Sequence, residues 1–110
     1  MMTPEQPFDL VYAPAVKGHL RAIERKWYSL IRDVIETQLS FEPDVETRNR
    51  KPLKRSITEL ETAEWEIRFG ADNRFRVFYA VNRPQGEVYI LAIGEKRGEQ
   101  LFIGGEAVDI

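Results

Sequence analysis

The chain predicts an α+β fold, with helices packed on one face of an antiparallel sheet. Two observations carry that expectation. Residues 16–39 repeat apolar side chains at helical spacing, and residues 64–93 hold three strand-like runs joined by links of four residues. Links that short force neighbouring strands to run antiparallel. The predicted order is a strand, two helices and a three-stranded meander.

Residues 8–13 are rich in β-formers and stop at Pro14, which predicts the first strand. The period then changes. Val16, Leu20, Ile23, Trp27, Leu30, Val34 and Leu39 recur at helical spacing, with Ile31 and Ile35 widening the stripe. Lys17, Arg21, Glu24, Arg25, Arg32, Asp33 and Glu36 fill the other face. One helix over this stretch would be roughly 36 Å long at about 1.5 Å per residue, too long for a chain of 110 residues. A bend is therefore expected at Gly18 or in the charged segment 24–26, giving a short helix and then a longer one. Residues 44–63 read as a polar, basic connecting loop with one apolar anchor, Leu53. The strands are expected at 64–69, 74–82 and 87–93, and the tail adds an edge strand broken at Gly104 and Gly105.

Composition sets the outer bounds. With 110 residues, 43% hydrophobic and 31% charged, the chain reads as one globular domain spanning residues 1–110. It has 0 cysteines and 1 histidine, which argues against disulfides and against a transition-metal site. No run approaches a membrane span, and the first residues lack the pattern of a secretory signal, so a cytoplasmic location is expected. A net charge of −2 argues against indiscriminate nucleic-acid binding. Positive charge is local instead: residues 48–55 carry Arg48, Arg50, Lys51, Lys54 and Arg55 and no acid.

Alternation places the chemistry. In the middle strand Phe75, Val77, Tyr79 and Val81 share a face, opposite Arg74, Arg76, Phe78 and Ala80. In the preceding strand Trp65, Ile67 and Phe69 oppose Glu66 and Arg68. Burying the aromatic faces against the helices drives Glu66, Arg68, Arg74 and Arg76 to the open face. Lys96 and Arg97, just after the last core strand, are placed to close the same patch. Arginine forks match phosphate oxygens bidentately, so the patch is a candidate site for a phosphodiester. Glu66 is the carboxylate placed to act as a base, and Lys51 or Lys54 can serve instead if neighbouring cations lower its pKa. The bland alternative pairs Glu66 with Arg68 or Arg76 across strands. His19 is expected at a boundary position, and Trp27 and Trp65 in the core.

The segments NRKPL at 49–53, WEIRF at 65–69, RFRVFY at 74–79 and IGEK at 93–96, in this order, resemble the RelE/ParE superfamily of bacterial toxins. The likeness runs from residue 8 to about 103. It implies a compact toxin, usually a ribosome-dependent mRNA endonuclease that forms a 2′,3′-cyclic phosphate with no metal or cofactor. It also implies an antitoxin partner that wraps the toxin and covers its basic face. Carried over by position, Arg76 matches the arginine at the scissile phosphate and Arg68 a basic residue on the preceding strand. Lys96, or Arg97, matches the cation that acts on the leaving group. Lys51, Lys54, Arg55 and Arg74 remain as phosphate contacts. The chain departs from the pattern in three places: Glu66 replaces a lysine, Phe102 lies near the place of a tyrosine, and Lys51 stands where some relatives have a glutamate. The same fold also serves a gyrase poison, or a weakened relative that binds only an antitoxin.

Overall fold

The protein is represented by a computed structural model that describes residues 6–54 and 60–109. The expected meander is present. Strand β3 (Trp65–Phe69), β4 (Phe75–Asn82) and β5 (Glu87–Arg97) pair antiparallel in sequence order. The helical run divides into α1 (Val16–Arg21), a 3-10 turn (Arg25–Trp27) and α2 (Tyr28–Gln38). The bend therefore falls in the charged segment and not at Gly18, which lies within α1.

Four features go beyond the sequence pattern. The first strand, β1 (Asp9–Tyr12), joins the sheet parallel to β5, which makes the sheet mixed. A three-residue strand, β2 (Arg50–Pro52), pairs with β3 inside what reads as a loop. The tail folds back as a hairpin of β6 (Gln100–Ile103) and β7 (Glu106–Val108), with Gly104 and Gly105 at positive φ in its turn. β5 also continues to Arg97, so Lys96 and Arg97 belong to the strand itself. The sheet order is β2-β3-β4-β5-β6-β7, with β1 beside the first half of β5.

The core explains why this register wins. Ile67, Phe69, Phe75, Val77, Tyr79, Val88, Ile90 and Ile93 pack against Val16, Ile23, Ile31, Ile35 and Leu39 from the helical layer. Each such burial is worth about 1.5–3 kcal/mol, and a slip by one residue would turn the set outward. Tyr79 is fully buried and donates its hydroxyl to the Pro43 carbonyl at 2.6 Å. Burial pushes the Tyr79 phenol well above its ordinary value. Arg50, also buried, donates to the Gln38 carbonyl at 2.5 Å and the Val45 carbonyl at 3.1 Å. It ties the end of α2 to β2, so its charge serves structure.

The face away from the helices is only partly open. Phe78, Ala92, Leu101 and Val108 form a second buried cluster there, flanked by Leu53, Leu60, Ala63 and Ile103. It reaches this face through a register shift: Phe78 pairs Ala92 while Tyr79 pairs Ile90, leaving Leu91 as the extra residue of a bulge.

β1 covers β5 along 87–90 and β6 covers it along 94–97, which leaves a gap in the ladder. His19 fills it: its Nδ1 accepts the Ile93 N–H at 3.3 Å. The half-buried imidazole has a pKa lowered by that burial. A histidine whose folded value lies below its unfolded value supports the fold while neutral. That contribution is whole above the ordinary histidine value of about 6.5 and is lost as the pH falls through the folded value. Between about pH 7 and pH 5 the thermal midpoint of the wild type should therefore fall further than that of His19→Gln, whose amide oxygen can accept the same N–H without titrating. Parallel midpoint curves for the two proteins would refute this role.

Candidate phosphate-binding site

The face away from the helices is assembled from three strands, and it corrects the expectation of an open patch: Arg68 is part-exposed, whereas Glu66 and Arg76 are buried. Glu66 and Arg68 alternate on β3, Arg76 lies opposite Arg68 on β4, and Gly94 lies opposite Arg76 on β5. Lys51 on β2 is the cross-strand partner of Glu66. Gly94 is a requirement of the packing, because a Cβ there would stand 3.0 Å from Leu101 and 3.1 Å from both Ile103 and the Phe102 carbonyl.

Arg68 and Arg76 are a like-charged cross-strand pair, an arrangement that is costly unless an anion intervenes. Glu66 is that anion in the free protein. Its Oε1 accepts from Arg68 Nε at 2.9 Å and Nη2 at 2.7 Å. Its Oε2 lies 4.0 Å from Arg76 Nη1, beyond hydrogen-bond reach. Arg76 is thus poorly served. Its side chain is 8% exposed and its buried Nε has no partner among the described residues. Burial first, and then the neighbouring Arg68, hold its pKa below the ordinary arginine value, with Glu66 acting in the opposite sense. A buried guanidinium with unused donors favours any ligand that brings oxygen acceptors.

The other predicted residues divide. Lys96 is half-buried and shares the face of Gly94 and Arg76, and no described residue pairs with its ammonium. Lys51 is exposed and its ammonium turns to Glu46 at 3.3 Å. Lys54 is exposed just beyond β2, and Arg55 lies outside the described residues.

Arg74 corrects the alternation argument. It caps a 3-10 turn (Ala71–Asn73) in helical conformation and precedes β4, so it does not share the face of Arg76. Its guanidinium lies 4.9 Å over the Trp27 ring and 5.6 Å over Phe75, and bonds to Glu95 Oε2 at 2.6 and 2.7 Å. Arg97 is corrected in the same way. Adjacent to Lys96 in an extended strand, it takes the opposite face, 3.3 Å from Glu95 and 5.4 Å over Phe102. Glu95, which no motif in the sequence marks as a site residue, organises this second cluster at 4% exposure. Its one signal was an acid on the apolar side of a core strand, a position that demands a cation.

No protein-family model matches the chain, and no curated protein does either. The fold is that of RelE-type toxins. Its relation to a solved structure, the toxin–antitoxin complex RelBE2 of Mycobacterium tuberculosis, has a TM-score of 0.65 at 22% identity over 83% of this chain and 93% of that one.

The site generates a stability prediction. Glu66→Gln leaves two adjacent guanidinium groups without their carboxylate and should cost about 2–4 kcal/mol. Inorganic phosphate should then raise the thermal midpoint of Glu66→Gln more than that of the wild type, whereas Arg76→Ala should show the smallest rise. Equal phosphate responses in all three proteins would argue against an anion site here.

Proposed function

We propose that this protein is the toxin of a toxin–antitoxin pair and that it cuts mRNA on the ribosome by attack of a ribose 2′-hydroxyl on the adjacent phosphate. The observation that carries the reading is Arg76: a guanidinium almost wholly buried, facing a second arginine, with an Nε that no described residue engages. A bridging phosphate would satisfy Arg76 and Arg68 together and take up the charge that builds on its oxygens. The likeness in fold to a member of a toxin–antitoxin complex supports the same reading.

Each role follows from position. Glu66 Oε1 is committed to Arg68, whereas among the described residues Oε2 has only the distant Arg76 contact and is the acceptor left over. It takes the proton of the 2′-hydroxyl while the 2′-oxygen forms its bond to phosphorus. The bond from phosphorus to the 5′-oxygen breaks, and Lys96 supplies the proton to that oxygen. The products are a 2′,3′-cyclic phosphate and a 5′-hydroxyl. A carboxylate base thus compensates for the absence of a lysine at position 66. Lys51, Lys54 and Arg55 are assigned to flanking phosphates, whose contribution is electrostatic and weakens with salt. The partner is an antitoxin that lays acidic side chains over this face.

A second reading rests on one contact. Because Glu66 already closes Arg68, the chain can also be a relative that binds an antitoxin without cutting. Induction in a bacterium, together with cell-free translation and mapping of transcript ends, separates the readings. Arg76→Ala should abolish transcript cleavage while the fold is kept, and Glu66→Gln should lower the cleavage rate by about 10²–10⁴-fold. Intact transcripts beside cleaved DNA would point to gyrase, and growth without arrest would leave only antitoxin binding.

A further inference from the structure

The two halves of the cation set lie on opposite faces of one sheet end, and the chemistry above uses only one of them. The second half borders a cleft of about 530 Å³ at the end of the sheet. That volume lies within the range of about 300–1,000 Å³ usual for small-ligand sites. Its walls include Trp27, Arg74, Phe75, Lys96 and Arg97, with Asp72 the one acid among the lining residues.

We propose that this cleft is a second nucleotide subsite, which receives the RNA residue next to the one whose phosphate Arg76 holds. The inference rests on the ribonuclease reading and extends it. Three observations carry it. First, the cleft adjoins the phosphate site: Phe75 lines it and precedes Arg76 directly in β4, and Lys96, on the face of Arg76, is also in its wall. Second, its chemistry suits a single strand. Trp27 and Phe75 stand 5.6 Å apart with the Arg74 guanidinium over both, and Glu95 fixes that guanidinium, which leaves Arg97 beside it as the more exposed cation. Phe75 is wholly buried beneath, so the plane that can accept a base by stacking is the part-exposed Arg74 guanidinium lying on Trp27, with Arg97 and Lys96 at the rim to take its phosphate. Third, among the described residues two buried side-chain polar atoms lack a hydrogen-bond partner, Arg76 Nε and Trp27 Nε1. One belongs to each site, so the same strand would bring acceptors to both.

The test uses a short 2′-O-methylated RNA oligonucleotide, which cannot form the cyclic phosphate. The chain has 2 tryptophans, so Trp65→Phe leaves Trp27 as the reporter. Its emission should change and saturate along the same curve as the anisotropy of a labelled oligonucleotide. Arg97→Gln should weaken binding about fivefold or more and reduce the slope of log K against log salt by about 0.7, a change that loss of packing alone does not produce. RNA binding that leaves the Trp27 emission unaltered, together with an unchanged slope in Arg97→Gln, would overturn the subsite. So would the absence of any binding in this titration. Transcript cleavage that depends on Arg76 in the translation assay would still stand in either case, so the two readings fail separately.

Discussion

The cross-strand pairing of Arg68 with Arg76 is the constraint around which this molecule is arranged. Neither residue is free to avoid the other. Ile67 and Phe69 on one side of β3, and Phe75, Val77 and Tyr79 on one side of β4, are buried against the helices. That burial is worth many times the cost of one unfavourable charge contact. The register that hides the rings therefore places two guanidinium groups side by side. Glu66, two residues before Arg68 and on its face, relieves the repulsion unevenly, bonding Arg68 closely and Arg76 only at 4.0 Å. The strain that remains is electrostatic, and it is concentrated on Arg76.

A second carboxylate explains why the other arginines do not add to this site. Glu95 is buried on the helix side of β5, opposite Phe75. A carboxylate there cannot remain charged without partners, and it draws Arg74 and Arg97 to its own face. The sheet thus separates two groups, each with two arginines around one glutamate. Lys96 faces the first group from β5 and also borders the cleft of the second. In a chain with a net charge of −2, five of its 16 basic residues meet in this way at one end of the sheet.

How much of this was legible in the sequence depended on periodicity. The meander and the approach of Arg68 to Arg76 follow from the period of 2, the break in the helical run follows from its length, and all three are present. β2 was not legible, because Arg50-Lys-Pro52 has no strand pattern and is extended only through its ladder with β3. The parallel pairing of β1 was hidden because the helical layer separates it from β5 in the chain, and such pairing leaves no local mark. Arg74 was misplaced because alternation was carried one residue past the strand into a turn, where Arg74 has helical φ and ψ. Arg97 was misplaced with Lys96 because the strand was ended at Ile93. Its extension to Arg97 is held by the ladder with β6 along residues 94–97.

The position of Glu66 bears on how such a site can work at all. A lysine there would add a third positive charge to a cluster that already lacks anions, and its base would have to lose a proton in that field. A glutamate lowers the cost of the arginine pair in the free protein and stands ready with one uncommitted oxygen. The exchange has a consequence for binding: the incoming phosphate must compete with Glu66 for Arg68, so affinity is reduced relative to an open cluster. Arg76 does not face that competition, because 4.0 Å is too far for the carboxylate to satisfy its donors. Under the proposed ribonuclease reading, a phosphate would enter on Arg76 first and share Arg68 afterwards, leaving Glu66 in place beside the ribose as the base. The carboxylate's burial, its two unequal contacts and its place between the arginines are what neutralising the resting cluster requires, and in the proposed reading the same group would also accept the proton.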